Sequence, residues 1–248
     1  MKIALTFDIE RDLPNVLDTY FGVEIGLLKI LEILENFNVK GTFFCTGNVV
    51  EHLPEFIRLI EQKGHEIACH GLHHERLNQL DFDKCQDVIY QNKNILEETC
   101  QNSEILGFRA PYLKPPKFLF EILGSLGFRY DSSITTPKKL SHYKSENNKI
   151  QEFHPSKYSI YLRLPYPFLK RKIFKTNLLI LYFHPCEAIN MKKLIRKHTN
   201  KVETLKNILF RLDRWLHTGN TFLETLRDFI EENLAKSVEF ITLKQLLA

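Results

Sequence analysis

The sequence predicts an α/β fold with a mostly parallel β-sheet. Short apolar or β-branched runs alternate along the chain with amphipathic stretches, a pattern typical of strands joined by helical crossovers. The chain has 248 residues, of which 44% are hydrophobic, so it can bury one substantial core. These observations favour a single domain over residues 1–248, either a (β/α) barrel or a doubly wound sheet.

The predicted elements follow one another in that alternating order. The strand candidates are short apolar runs at residues 3–7, 39–45, 66–69, 105–108, 128–130, 159–164, 178–183 and 239–243. The first helix candidates have apolar residues near a 3.6-residue period and cover residues 24–37, 53–62, 82–98 and 117–126. The alternation therefore predicts that the C-terminal ends of the strands share one edge of the sheet.

The later part of the chain is more helical. Residues 194–216 form a long amphipathic pattern that ends near Gly219, and Thr221 with Glu224 has the spacing of a capping box at the start of the next helix. The segment 135–160 interrupts the alternation because it is rich in Lys, Ser, Asn and Pro. We interpret it as a long loop or insertion, and leave open whether it acts as a lid.

Charge and composition narrow the classes of partner. The net charge of +4 is compatible with an anionic or membrane-proximal partner but is too small to indicate nucleic-acid binding. The sequence has no signal-peptide pattern and no apolar run long enough to span a bilayer, so we expect a cytoplasmic protein. The five cysteines are scattered and form no CxxC pair, which predicts buried free thiols.

Polar side chains follow five of the predicted strands. They are Asp8 and Glu10, His70 with His73 and His74, Arg109, Asp131, and His184. Because the C-terminal ends of parallel strands converge on one face, where active sites of such folds are built, we expect these residues to be neighbours in space.

The segment "CHGLHH", residues 69–74, is the most specific local signal. His70 and His74 are four residues apart, so on a helical turn their imidazoles would converge on one cation, with a carboxylate completing the set. His73 is an alternative second ligand, whereas strand alternation turns Cys69 away from His70. This donor set suits Zn²⁺ or a similar metal such as Co²⁺, Ni²⁺ or Mn²⁺.

Five motifs in order resemble those of the polysaccharide deacetylase family, also called the NodB homology domain or carbohydrate esterase family 4. The motifs are "LTFDIE", "HEIACHGLHHERL", "GFRAPY", "GFRYDSS" and "LYFHP", and they extend over roughly the first three quarters of the chain. The resemblance implies a distorted (β/α) TIM-like barrel and a metal-dependent hydrolase that removes acetyl groups from glycans.

The resemblance also implies roles for individual residues. Asp8 matches the catalytic base, Arg109 the residue that holds this base, and His184 the general acid, while His70 and His74 match the histidine ligands of the metal. A guanidinium beside Asp8 would orient it and keep it ionised.

Further matches concern the substrate side of the site. Pro111 and Tyr112 of "RAPY" match the oxyanion and substrate-binding segment, in which the backbone N–H of Tyr112 is the donor. Asp131 is near the place of the acid that tunes the catalytic histidine, although a helix cap or turn at residues 131–133 is an equally good interpretation.

The chain departs from the common family pattern at two places. Most members have two adjacent acids after the first strand, whereas here Ile9 separates Asp8 from Glu10. Residues two apart in a strand share a face, so both acids can reach the site, and Glu10 is our choice for the third metal ligand. The family's tryptophan motif after Asp131 is absent, and Trp215 lies in a late helical stretch.

Several residues also have an ordinary interpretation, without a role in the site. His184 alone would be an ordinary histidine, Arg109 a surface ion-pair residue, and Asp12 and Glu75 solvated residues near the site. The basic stretch 191–206 is typical of a solvated helix face; less often such a stretch approaches anionic lipid or a diphosphate-linked sugar. An aromatic and basic cluster at residues 166–172 favours ordinary loop packing.

The predicted function is removal of acetyl groups from an N-acetylated sugar or glycan, with a nucleotide- or lipid-linked sugar as one substrate class. Hydrolysis of another C–N amide bond is an alternative, because allantoinase-like and deformylase-like members share much of the motif set. A non-catalytic barrel that binds a glycan or a metal is a second alternative.

Overall fold

The computed structural model describes residues 1–13, 17–136, 150–156, 176–210 and 215–247. The strands are β1 (Lys2–Ile9), β2 (Thr42–Cys45), β3 (Glu66–Cys69), β4 (Gly107–Phe108), β5 (Tyr130–Asp131), β6 (Gln151–Glu152), β7 (Leu178–Phe183) and β8 (Glu239–Phe240). The helices are α1 (Leu28–Asn36), α2 (Gly47–His52), α3 (Pro54–Gln62), α4 (Phe82–Thr99), α5 (Leu119–Ser125), α6 (Met191–His198), α7 (Lys201–Phe210) and α8 (Asn220–Leu234). The predicted alternation of strands and helices is confirmed.

The strands form one parallel sheet. Their spatial order is β6-β5-β4-β3-β2-β1-β7, and every pairing is parallel. The strand β8 pairs with Lys2 and Ile3 of β1, whereas β2 pairs with β1 from Thr6 onward. The carboxyl ends of the strands therefore share one edge, as the sequence predicts.

The sheet curls so that one face encloses an interior. Ala4, Phe44, Ala68, Tyr130 and Ile180, from five different strands, belong to one buried cluster on this concave face. Beyond β6, the N–H of Ser156 donates a hydrogen bond of 2.8 Å to the carbonyl of Ile180, which links the far edge of the sheet to β7. The expected barrel-like α/β architecture is thus confirmed.

A larger core fills the space between the outer face of the sheet and the helices. Ile3, Phe7 and Ile9 of β1 point into it and meet buried residues of α1 and of the other helices. The rings of Phe7 and Phe43 stack at 4.9 Å, so β1 and β2 are joined by packing as well as by hydrogen bonds. Because β1 is buried on both faces, its sequence reads as a continuous apolar run that ends at the site.

Several details differ from the sequence predictions. The helix α2 and the strand β6 were not predicted, and β6 lies inside the predicted loop 135–160. The predicted strand 159–164, the cluster 166–172 and residues 137–149 of that loop lie outside the described residues.

The predicted helix 194–216 is wrong in its continuity. It is divided into α6 and α7, because Thr199 adopts an extended conformation and its hydroxyl donates back to the carbonyl of Ile195. The predicted capping box is also wrong: α8 begins at Asn220 after Gly219, so Thr221 lies inside the helix. Trp215 belongs to a turn, where Lys192 lies 4.7 Å from the ring centre.

The basic residues of α6 agree with the interpretation as a solvated helix face, because Lys193, Arg196 and Lys197 are exposed. Within the described ranges, no helix has both the length and the apolar character needed to cross a bilayer.

Candidate active site

The strand β1 delivers two carboxylates to the carboxyl edge of the sheet. Asp8 and Glu10 are both buried there, while the intervening Ile9 packs into the outer core. The alternation of side chains along a strand therefore has the predicted effect, because the residues on either side of Ile9 face the same interior.

Glu10, His70 and His74 converge on one point. Their ligand atoms all lie within 4.8 Å of one another. The Nε2 of His70 lies 3.6 Å from Oε2 of Glu10, and Nε2 of His74 contacts the same oxygen. The expected metal set is thus brought together, with the carboxylate contributed by Glu10.

The protonation of His70 fits a metal ligand. Its Nδ1 lies 2.8 Å from the carbonyl oxygen of Arg109, which can only accept, so Nδ1 carries the proton. The lone pair of a neutral ring is then on Nε2, which faces Glu10. The buried Oε2 of Glu10 has no hydrogen-bond partner among the described residues, as expected where a cation completes the set.

The segment that carries both histidines is not a helical turn, which corrects the prediction. Gly71 and His74 have φ angles of 78° and 63°, so the chain reverses between the two ligands. Glu75 stabilises this bend, because its carboxylate accepts from the N–H groups of Leu72 and His73. His73 is exposed, which excludes it as the second ligand.

Arg109 is buried inside the barrel and holds Asp8. Its Nη1 donates to Oδ1 of Asp8 at 2.7 Å and to the hydroxyl of Thr6 at 2.8 Å. Burial alone would raise the pKa of Asp8, but neighbouring positive charge, above all that of Arg109, outweighs burial and lowers that pKa. The predicted pairing is present, and Arg109 is not a surface ion-pair residue.

His184 is close to both carboxylates of β1. Its Nε2 lies 3.9 Å from Oδ2 of Asp8 and 3.6 Å from Oε1 of Glu10. Burial opposes protonation, but the hydrogen bond that Nδ1 donates to Glu187 and the negative charges of Glu10, Glu187 and Asp8 raise the pKa of His184 to about 9. The imidazole is therefore protonated near neutral pH.

The acid that contacts His184 is Glu187, a residue outside the predicted site. Its Oε1 lies 3.0 Å from Nδ1 of His184 and also accepts from the backbone N–H of His184 at 3.1 Å. The signal that could have found it is a glutamate three residues after His184 with Pro185 between them, which is the pattern of a helix start.

Asp131 does not take the predicted place beside His184. Its carboxylate instead accepts from the hydroxyl of Ser133 at 2.6 Å and from the N–H of Ser133 at 3.2 Å. Ser132, the next residue, accepts from Nη2 of Arg109 and its carbonyl accepts from Nε of Arg109. The turn interpretation of residues 131–133 is closer to the structure, and this turn supports Arg109.

A comparison with family models identifies the chain. The model described as polysaccharide deacetylase matches residues 1–130, just over half of the sequence. The chain belongs to the polysaccharide deacetylase family.

Two of the curated relatives each match less than half of the chain. The peptidoglycan deacetylase of Helicobacter pylori is 25% identical over 114 residues, which cover 46% of this chain and 39% of the relative. The peptidoglycan-N-acetylmuramic acid deacetylase PdaA of Bacillus subtilis is 33% identical over 101 residues, which cover 40% of this chain and 36% of the relative. The chain thus matches less than half the length of these relatives.

Solved structures of the family share the fold over nearly the whole chain. A protein of Mycobacterium smegmatis assigned to the polysaccharide deacetylases superposes with a TM-score of 0.64 and 23% identity, and the match covers 98% of this chain and 93% of that one. The likeness extends through the half of the chain that the family model does not match.

The "RAPY" segment of this family member lies beside the metal ligands. The ring of Tyr112 is 4.4 Å from the ring of His74, and Pro111 packs against Gly71, where a Cβ would come within 3.2 Å of the proline ring. Tyr112 adopts a φ of 60°, an uncommon conformation that sets the direction of its backbone N–H. The role of this N–H as an oxyanion donor stays a prediction.

Asp12 is buried, which corrects its interpretation as a solvated residue. Its two oxygens accept from the N–H of Gly22 and the hydroxyl of Thr19, each at 2.9 Å. Burial raises the pKa of Asp12 to about 6. Asp12 therefore anchors the π-helical turn Gly22–Leu27 that precedes α1, and it is not a ligand of the candidate metal site.

Proposed function

We propose that this protein is a metal-dependent hydrolase that removes acetyl groups from an N-acetylated sugar or glycan. The observation that carries the proposal is the convergence of Glu10, His70 and His74 beside an ionised Asp8 and a protonated His184. The names of the relatives, which are deacetylases of peptidoglycan, support the acetylated glycan as the substrate class.

We propose Zn²⁺ as the metal, held by Oε2 of Glu10 and the Nε2 atoms of His70 and His74. Two imidazoles and one carboxylate are the ligand set of many catalytic zinc sites, and His70 has the tautomer that this requires. The chemistry that such an ion supplies is polarisation of a carbonyl and a lowered pKa of water.

Asp8 acts as the general base in this proposal. Its Oδ1 is occupied by Arg109, which fixes the carboxylate plane and leaves Oδ2 directed toward His184 and the centre of the site. The depressed pKa of Asp8 keeps it unprotonated at neutral pH, so it can accept the proton of the attacking water.

His184 acts as the general acid. Its elevated pKa keeps a proton on the ring, and Glu187 on Nδ1 directs Nε2 toward the carboxylates of the site. The amine leaves when Nε2 of His184 transfers its proton to the amine nitrogen, and this step completes the hydrolysis of the amide.

Purified protein tests the proposal directly. We expect a stoichiometric divalent metal by elemental analysis, and release of acetate from at least one of four substrates: peptidoglycan fragments, chitooligosaccharides, a nucleotide-linked and a lipid-linked N-acetylated sugar. Removal of the metal by a chelator should abolish acetate release, and Zn²⁺, Co²⁺, Ni²⁺ or Mn²⁺ added back in turn should identify the active ion.

The four substrates also separate the substrate classes. Activity on the linked sugars alone would favour a precursor as substrate and would agree with the expected cytoplasmic location, which stays a prediction. Metal-loaded protein that releases no acetate from any of them, but hydrolyses formyl or ureido amides, would contradict the deacetylase proposal.

A further inference from the structure

Two buried carboxyl groups lie side by side next to the residues that support Arg109. Asp131 of β5 and Glu152 of β6 are partners in the parallel register, so their side chains lie on the same face of the sheet. Asp131 is 0% exposed and the side chain of Glu152 is 1% exposed. Two ionised carboxylates buried side by side repel each other, so we expect one of the two to carry a proton.

The hydrogen bonds around the pair show which group carries the proton. Both oxygens of Asp131 already accept from Ser133. Glu152 accepts from the N–H of Ile134 at 2.8 Å through Oε1, while its buried Oε2 meets no donor among the residues that the structure describes. A proton on Oε2 turns this atom from an unsatisfied acceptor into a donor toward Asp131.

The charges that face the pair agree with this assignment. Burial and the negative charge of Asp131 raise the pKa of Glu152 far above its usual range, and Arg109 opposes this shift only in part. Among the described residues, His154 is a further titratable neighbour; its Nδ1 lies 3.8 Å from Oε1 of Glu152 and closer, at 2.6 Å, to the carbonyl oxygen of Ile134.

The pair is connected to the candidate base through two serines. Ser133 donates its hydroxyl to Asp131 and accepts from the N–H of Ala110, the residue after Arg109, at 2.7 Å. Ser132 donates to the carbonyl of Phe153, the residue after Glu152, at 2.8 Å and accepts from Arg109 at 3.0 Å. Arg109 in turn holds Asp8.

We propose that Glu152 is a positioning residue that carries a proton and donates it in a hydrogen bond to Asp131, so that the serines between them and Arg109 keep Asp8 aligned. The proposal rests on the proposed function only in its effect on turnover. Glu152 itself touches neither the metal ligands nor Asp8 among its described contacts.

Replacement of Glu152 by glutamine tests whether the residue acts as a hydrogen-bond donor, because glutamine keeps a donor and removes the acid. In Glu152→Gln the amide NH₂ supplies the donor toward Asp131 and the amide oxygen accepts from Ile134, so we expect kcat within about threefold of the wild type. In Glu152→Ala the donor is lost, and we expect kcat to fall about tenfold to a hundredfold, because the base is displaced, with little change in KM. The metal content should be unchanged in both variants.

Glu66 provides a matched control. It is also a buried glutamate, but its oxygens accept from three donors, namely the hydroxyls of Thr42 and Tyr130 and the N–H of Lys244. A glutamine at this position would direct an NH₂ group at a donor, so Glu66→Gln should lower the melting temperature and leave kcat unchanged. Glu152→Gln, by contrast, should leave the melting temperature unchanged and keep kcat within about threefold of the wild type.

Infrared spectroscopy can detect the proposed proton on Glu152, and the measurement does not require enzymatic activity. At neutral pH the wild type should show the C=O stretch of a protonated carboxylic acid, and this band should be absent in Glu152→Gln. The measurement works on metal-free protein, so it succeeds or fails independently of the proposed deacetylase activity, and it remains decisive where Glu152→Ala does not fold.

Two results would overturn the proposal. One is an infrared spectrum in which the wild type has no protonated-acid band that Glu152→Gln removes. The other is a Glu152→Gln variant that is as impaired in kcat as Glu152→Ala, since the amide would then fail to replace the acid.

Discussion

At the amino ends of the strands, Glu66 is buried among three donors, and each of its oxygens accepts at least one hydrogen bond. At the carboxyl edge of the same sheet, Oε2 of Glu10 is also buried and, within the described part of the chain, has no hydrogen-bond donor, although two imidazoles surround it. The two ends are built on one sheet, so the difference is not imposed by the backbone. Polar groups at the amino end satisfy one another, whereas those at the carboxyl end are arranged for a ligand.

Removal of a histidine ligand should have the largest effect at the carboxyl end. In His70→Ala we expect metal affinity to fall by at least about a hundredfold and acetate release to be lost, because the cluster keeps only two metal ligands. Elemental analysis and an acetate assay measure both effects. His73→Ala is the control, since His73 is exposed beside the same loop and should retain metal and activity.

Loss of the base should be the next largest effect. We expect Asp8→Asn to lower kcat by about 10² to 10⁴-fold, because the amide cannot accept the proton of water. The metal content should stay at the wild-type value, since Asp8 is not in the ligand set. Asp87→Asn, at an exposed acid of α4, should leave kcat unchanged; loss of metal in Asp8→Asn would instead assign Asp8 as a ligand.

A substitution at the amino end should affect stability and leave chemistry intact. The hydroxyl of Thr42 donates to Glu66 at 2.6 Å and accepts from the N–H of Leu243 at 3.0 Å. In Thr42→Val both groups lose a partner in the interior, so we expect a decrease of about 2–4 kcal/mol in the free energy of unfolding. Denaturant titration measures the decrease. The control Thr42→Ser keeps the hydroxyl, so its free energy of unfolding should decrease less. A changed kcat in Thr42→Val would contradict the contrast between the amino and carboxyl ends of the sheet.

The smallest predicted effect is a pH dependence at His65, also at the amino end. Burial, with the nearby charges of Lys40 and Lys63, lowers the pKa of His65 to about 4, and its Nδ1 accepts from the N–H of Gly41. Between about pH 6.5 and pH 4 the unfolded chain therefore binds more protons than the folded chain, so stability decreases as the pH falls.

The expected loss is about 1–2 kcal/mol between pH 7 and pH 5, measured by urea unfolding. In His65→Gln, whose amide oxygen can still accept from Gly41, this part of the pH dependence should be absent. Equal pH dependence in the wild type and the variant would contradict the assignment to His65.

The positions of the site residues at the carboxyl edge of the sheet could be predicted from the sequence, because they follow the periodicity of the strands. The spacing of Asp8 and Glu10 predicted that both acids face the interior, and the apolar run before His184 placed this histidine at a strand end. The same reasoning missed Glu187, because the hydrogen bond that joins it to His184 depends on a short helical turn after β7. It also placed Asp131 beside the wrong partner, because only the pairing of β5 with β4 and β6 directs it toward Ser133 and Glu152.

By itself, the sequence determined the alternation of strands and helices and the edge of the sheet that carries the site. These properties follow from local periodicity and from the shared direction of parallel strands. The tertiary structure alone decided which of His73 and His74 faces Glu10, which acid contacts His184, and that Glu152 lies against Asp131. Each of these contacts depends on a backbone turn or on a strand register between residues distant in the chain, and side-chain patterns along one strand contain no information about either.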